Sequence, residues 1–335
     1  MPRIESESFI FDPRPHFPLL ISVKRYWSPG FESTDEDAIT LVLMHATGSH
    51  NESWEPVLEE LYSVNGTASS ISKYSFKIRE AWAIECPNHG SAAALNEEAL
   101  RSGYQSVFPW ADYARAVHLV LTGFGKGIDV DFRSRRLVAV GHSMGAVAAI
   151  LARTYQPSIS WSAAILIEPL ILAHEVNREY ELPFFNLATQ RTDIWPSREE
   201  AGNQFRDTLL KDWDPRIIDL YLKYSLREAP TAGKATGVAL KCTKSLEAAT
   251  WRDTTGRIEA LGHLSAFCND VPTHAVFGSI SDFLPAKNRD LLVKQGAAGN
   301  FKTVTEAVQT NPQAIAESMW IALIHPSSSY AKAKL

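Results

Sequence analysis

Short apolar runs rich in β-branched residues alternate along the chain with longer stretches whose apolar positions recur at helical spacing. Ala38-Ile39-Thr40-Leu41-Val42-Leu43-Met44 reads as a strand. Trp54, Val57, Leu58 and Leu61 follow at helix spacing from Ser53, and Ile78 to Ile84 is the next strand, closed by Cys86-Pro87-Asn88-His89-Gly90. Asp112 to Leu121 reads as a helix, Arg136 to Val140 as a strand, Met144 to Tyr155 as an Ala- and Leu-rich helix, and Ser162 to Ile167 as a strand. Asn65 to Ser72 reads as a Gly/Ser/Thr-rich loop. Strand and helix in alternation predict an α/β fold with a mostly parallel central sheet and flanking crossover helices.

The alternation then breaks. The next strand, Thr273 to Phe277, comes about a hundred residues later, where an ordinary crossover needs a dozen or so. Pro183, Phe184, Phe185, Trp195, Trp213, Tyr221, Tyr224 and Trp251 fall in that interval, which reads as a helical cap inserted after the strand that follows the Met144 to Tyr155 helix. Phe301 to Thr305 is the last strand, and Pro312 to Leu323 the last helix, with proline in its first turn. The expected division is a core of residues 1–170 and 266–325, a cap of 171–265, and a flexible tail of 326–335.

Composition narrows the field. The 335 residues are 45% apolar and 21% charged, with a net charge of −5, enough for one large α/β core with an insertion. No Lys/Arg cluster is present, which argues against nucleic acid as a partner. Cys86, Cys242 and Cys268 are odd in number and far apart, so neither a disulfide framework nor a zinc site is indicated. No metal-ligand cluster or dinucleotide glycine fingerprint occurs, and no cofactor is expected. No apolar stretch is long enough for a membrane span, and Glu5 and Glu7 stand where a signal peptide needs positive charge. Ala333-Lys334-Leu335 is a conservative variant of the Ser-Lys-Leu address, predicting a peroxisomal import receptor as partner, with the cytoplasm as the alternative location.

The chemistry concentrates at Gly141-His142-Ser143-Met144-Gly145. Gly-x-Ser-x-Gly alone is a modest signal, but here it follows a strand and opens a helix. The turn leaves no room for flanking side chains, and it holds Ser143 above the sheet beside a helix N-terminus that favours a developing anion. The plain alternative is a glycine-flanked β–α turn. With these elements in order, the chain resembles the α/β-hydrolase superfamily over nearly its whole length. The resemblance implies that His45-Ala46-Thr47-Gly48 is the oxyanion segment, with backbone N–H groups of Thr47 and Met144 as donors. Ala46 stands where the family usually carries glycine. Trp54-Glu55-Pro56, Asn88-His89-Gly90 and Leu95-Asn96-Glu97 are similar to fungal peroxisomal hydrolases of toxin and lipid metabolism.

Asp282, in Gly278-Ser279-Ile280-Ser281-Asp282-Phe283-Leu284-Pro285, falls at the family's acid position, with Glu168 as the alternative carboxylate. The catalytic histidine expected after the last strand is missing, since no histidine lies between His274 and His325. A serine hydroxyl without an adjacent base is a weak nucleophile. A missing segment, a substitute base or a degenerate protein would each explain the gap. His89 is a weak candidate for the base. His45 and His142 are expected to face packing, His325 lies past the last helix, Glu306 would repel Asp282, and Arg191 and Arg198 are expected to be solvated or structural. The leading expectation is a serine hydrolase of an ester or thioester of a small hydrophobic acyl substrate. A lyase or cyclase on the same fold, or a non-catalytic binding protein, is the alternative.

Overall fold

The computed structural model describes residues 2–31, 33–71, 76–207, 210–229, 237–278, 284–296, 300–303 and 311–324. Its elements in chain order are β1 Glu5–Phe11, β2 Ile21–Trp27, β3 Ile39–Met44, α1 Glu55–Ile71, β4 Ile78–Ile84, α2 Gly90–Leu95, α3 Glu97–Gly103, α4 Trp110–Thr122, β5 Arg136–His142, α5 Met144–Ala152 and β6 Trp161–Ile167. There follow α6 His174–Gln190, β7 Ile194–Trp195, α7 Arg198–Asp207, α8 Pro215–Tyr224, β8 Leu226–Glu228, β9 Val238–Leu240, α9 Lys244–Trp251, α10 Gly256–Asp270, β10 Thr273–Phe277, α11 Ala286–Gln295, β11 Asn300–Thr303 and α12 Pro312–Ile324.

Among the described residues the main sheet has eight strands in the order β1-β2-β4-β3-β5-β6-β10-β11. From β4 to β11 neighbours run parallel, while β1, β2 and β4 pair antiparallel at the other edge. β3 and β5 are apolar on both faces because helices cover both. Val42, Met44, Leu137 and Ala139 point into one core with α4, α5 and α10. Leu41, Leu43, Val138 and Val140 point into the other, with α1 and α12. The sequential order reverses at β3, flanked by β4 and β5, so the crevice typical of open α/β sheets lies over the carboxyl ends of β3 and β5. His45-Ala46-Thr47-Gly48 and the Ser143 turn leave the sheet at those two ends.

The loop expected at Asn65 to Ser72 is corrected: α1 continues through Ile71. Leu58, Leu61 and Tyr62 are fully buried in the α1–α12 core, and one Gly66 costs only about 1 kcal/mol of helix propensity against that packing. The helix expected to reach Tyr155 stops at Ala152.

The interval between β6 and β10 is not purely helical. It adds a three-stranded antiparallel sheet, β7-β9-β8. Trp195, Phe205, Tyr221, Leu226, Val238 and Leu240 form its small core, with Trp195–Phe205 and Phe205–Tyr221 ring centroids 5.2 Å apart. Phe184 stacks on Trp251 at 4.5 Å, joining α6 to α9. Much of the aromatic content of this interval is therefore occupied by its own packing. Arg257 lies 5.0 Å over the Trp110 ring at the start of α10, the helix that packs back onto the core beside α5. No helix among the described residues is long and apolar enough to cross a membrane.

Candidate active site

Ser143 occupies the turn between β5 and α5 with φ 54° and ψ −110°. Its backbone N–H donates to the Ile167 carbonyl at 2.9 Å, and its carbonyl accepts from Ala146 N–H at 3.1 Å. A Cβ on Gly141 would lie 2.5 Å from the Gly145 carbonyl oxygen, and one on Gly145 would run into the Met44 carbonyl. The two glycines thus let the elbow nest against its own helix and against β3. Holding a non-glycine residue in this region costs about 1–3 kcal/mol, which the surrounding packing must offset.

Thr47 lies beside the elbow, its hydroxyl 3.6 Å from the Met144 sulfur. The two residues expected to supply oxyanion donors are therefore adjacent. Ser49 N–H donates to the Ala46 carbonyl at 3.1 Å, and Gly48, third in that turn, has φ +77°. The flexibility expected from a glycine at position 46 is supplied at position 48, so buried Ala46 is tolerated.

Among the described residues, two non-glycine positions have positive φ: Ser143 and Glu168, the latter at 43°. The register pairs His142 with Ile167, so both follow directly on neighbouring strand ends. The Glu168 carboxylate accepts the Gly278 N–H, and its own N–H donates to the Val276 carbonyl at 2.8 Å. Burial pushes the carboxyl pKa up, against the Gly278 N–H and the Arg289 charge. Asp282, Glu306 and His325 lie outside the described residues.

The alpha/beta hydrolase family profile matches residues 41–299. The chain belongs to this family. A type I acyl-CoA thioesterase, mpaH, of Penicillium roqueforti is 30% identical over 217 residues, 64% of this chain and 46% of the relative. The peroxisomal membrane protein LPX1 of Saccharomyces cerevisiae is 28% identical over 138 residues, 41% of this chain and 32% of that one. The chain spans about half the length of the thioesterase relative it matches. Among solved structures, the peroxisomal alpha-beta-hydrolase Lpx1 of S. cerevisiae superposes with TM-score 0.72 at 19% identity, covering 99% of this chain and 93% of that one. A thioesterase domain from the curacin biosynthetic pathway gives TM-score 0.63 at 16% identity, covering 97% and 100%. These superpositions show the fold.

The His45–Gly48 loop is held by side chains from distant segments. His89 Nε2 accepts the Gly48 N–H at 3.0 Å, so the ring proton sits on Nδ1, which donates to Asn88 Oδ1 at 2.7 Å. Asn88 Nδ2 donates in turn to Thr250 Oγ1 at 2.8 Å, on α9. Burial, with the charges of His45 and Arg191, depresses the His89 pKa strongly. His45 Nε2 accepts the Cys86 N–H at 3.1 Å and Nδ1 lies 2.8 Å from the Ala46 carbonyl; burial pushes its pKa down to about 3. Burial takes His142 to about 4. With both ring nitrogens of His45 and His89 engaged, neither ring is placed to accept a proton from Ser143.

One layer further back, Glu85 accepts the Ala92 N–H at 2.9 Å and the Asn51 N–H at 3.4 Å. Gly90 has φ +48°, and a Cβ there would collide with this carboxyl group. Burial pushes the Glu85 pKa up to about 8, reinforced by the Glu52 charge. The segment between β6 and β10 also packs against the same loop. Glu247 of α9 lies 3.5 Å from the Gly48 Cβ position and pairs with Arg191, which also bonds Tyr221. Arg191 is therefore structural, and Arg198 bonds Glu228 at 3.2 Å on the exposed side of the cap. Tyr221 and Tyr224 lie 5.7 and 6.2 Å from the His50 ring. Sequence reading noted Asn88-His89-Gly90 without assigning this supporting part, and it passed over Glu85. A carboxylate directly after the apolar end Ala81-Trp82-Ala83-Ile84 of β4 was the available signal.

Proposed function

We propose that the chain is a serine hydrolase that cleaves an acyl thioester or ester, with Ser143 as nucleophile. The supporting observation is the left-handed Ser143 elbow at the N-terminus of α5, with Thr47 against Met144 beside it. Ser143 Oγ attacks the acyl carbonyl carbon, and its proton passes to a base. The N–H groups of Thr47 and Met144 stabilise the tetrahedral oxyanion, each worth about 3 kcal/mol of barrier. The carbonyl then re-forms, the carbon–sulfur or carbon–oxygen bond breaks, and the thiol or alcohol leaves with a proton. Water releases the acid from the acyl-serine and restores the hydroxyl. The thioesterase relative favours an acyl-CoA substrate.

Glu168 is the carboxylate favoured for orienting the base, because it shares strained backbone and a neighbouring strand end with Ser143. Asp282, at the family position, is the alternative. The base is left unassigned. The likeness to Lpx1 favours a peroxisomal location, with Ala333-Lys334-Leu335 as the receptor-read address. Deleting those three residues should move a tagged protein to the cytosol; unchanged organelle targeting refutes the address.

The test of the chemistry is thiol release from a medium-chain acyl-CoA by the full chain. Release that disappears in Ser143→Ala supports the reading. A folded wild-type protein that releases no thiol and cleaves no activated ester overturns it, in favour of a lyase, cyclase or binding role.

A further inference from the structure

We propose that the cleft between α2–α3 and the first turn of α9 binds the diphosphate-bearing nucleotide end of a coenzyme A thioester. This rests on the thioester reading above. The cleft has a volume of about 230 Å³, and its wall includes Leu100, Arg101, Arg227, Lys241, Thr243 and Ser245. Glu97 also lines it. Three cations thus face one carboxylate in a chain whose net charge is −5. That reversal of sign is what attracts an anion to one place on an acidic surface.

The hydrogen bonding leaves Lys241 and Arg101 available. Glu97 takes Nη1 and Nη2 of Arg227 at 2.7 and 2.9 Å, fixing the guanidinium, while Arg227 Nε is buried without a hydrogen-bond partner. Lys241 Nζ donates to the neutral Ser91 hydroxyl at 3.3 Å. Among the described residues no carboxylate lies within ion-pair distance of Lys241 or Arg101. The Arg101 guanidinium, the Lys241 ammonium group and two hydroxyls match the several acceptor oxygens of a diphosphate, with the Glu97-paired Arg227 beside them. Lys241 also forms the wall of an adjoining cleft of about 450 Å³ with Lys24, Glu52 and Ser91, which gives room for the rest of a nucleotide.

Neither of these two clefts is lined by Ser143, so a ligand here must reach the elbow through an extended arm. α9 supplies the route. Ser245 and Leu246 line the phosphate cleft, the Leu246 carbonyl accepts from Asn88 Nδ2 at 3.3 Å, and Glu247 lies against Gly48. Ser245 and Glu247 are about 3 Å apart along the helix axis. The cleft and the oxyanion loop therefore flank one turn of α9. A pantetheine arm anchored by its phosphates in the cleft would pass this turn of α9 to reach the loop.

The experiment is calorimetric titration of the full chain, as Ser143→Ala, with coenzyme A, with pantetheine lacking phosphates, and with inorganic pyrophosphate. Coenzyme A should bind about tenfold or more tightly than pantetheine, with an affinity that falls as salt rises. Lys241→Gln and the exposed-site variant Arg101→Gln should each weaken coenzyme A about three- to tenfold and leave pantetheine unchanged. Equal binding of coenzyme A and pantetheine, or full affinity in the double variant, overturns the proposal. Pyrophosphate binding as tightly as coenzyme A overturns the carrier and leaves a free-anion site. Failure here with phosphonate labelling of Ser143 intact removes the cleft and keeps the nucleophile. Phosphate-dependent binding without labelling does the reverse.

Discussion

The elbow and the oxyanion loop lie side by side over the ends of β5 and β3, yet they are held in different ways. The elbow is fixed by its own backbone: Gly141 and Gly145 remove two Cβ atoms, and the strand and helix on either side hold Ser143. The loop is fixed by side chains far away in sequence. His89, Asn88 and Thr250 form a chain of hydrogen bonds from the cap to Gly48, Glu85 ties Asn51 to Ala92, and the Tyr113 hydroxyl accepts the His45 N–H at 3.0 Å. One element is set by five consecutive residues. The other depends on several buried polar groups and on the seat of α9. The proposed acyl chemistry would need both at once, so the loop is the part through which the position of α9 would reach that reaction.

The sharpest way to break the elbow is Gly145→Ala. Its Cβ meets the Met44 carbonyl of the neighbouring strand, so a stability loss of about 3 kcal/mol or more is expected in urea unfolding. Unchanged stability would mean that the close approach of α5 to β3 is misplaced. Next comes Glu168→Gln, expected to keep the fold but slow Ser143 acylation about a hundredfold or more. Asp282→Asn having that effect instead, with Glu168→Gln silent, would move the acid to its family position.

On the loop side, His89→Phe leaves the part-buried Gly48 N–H without its acceptor. Stability should fall by about 1–3 kcal/mol and acylation by about tenfold, in stopped-flow or probe-labelling rates. An unaltered rate would show that the loop does not need its link to the cap. The last test concerns pH. Glu85 is neutral when folded up to about pH 8, while in the unfolded chain it ionises near the ordinary value of 4.5. The folded state therefore binds more protons between those values, and this group's contribution to stability falls as pH rises from about 4.5 to 8. Glu85→Gln should flatten that part of the Tm–pH curve. A slope identical to wild type would contradict a neutral Glu85.

This contrast also explains what could be read in the sequence. β3, β4, β5, β6 and β10 were visible because strands buried on both faces are apolar runs. The hairpin β1–β2 was not, because Glu5, Ser6, Glu7, Ser8, Lys24 and Arg25 interrupt it at a half-exposed edge. Ser143 was legible because glycine spacing is a local signal. Thr47 and Met144 followed from that motif, and the structure places them in contact. The loop's support was not legible, because Glu85, His89 and Thr250 meet only through the fold. The cap's β7-β9-β8 sheet was missed because strands of two or three residues leave no periodic pattern. Trp195, Phe205 and Tyr221 fill a core of their own beside that sheet.

The central claim is that Ser143 is a nucleophile poised at a working oxyanion site. Fluorophosphonate labelling of the full folded chain tests it most directly. The account predicts rapid covalent labelling that maps to Ser143, vanishes in Ser143→Ala and slows in His89→Phe. A folded wild-type protein that stays unlabelled, or one labelled equally in Ser143→Ala, would contradict it.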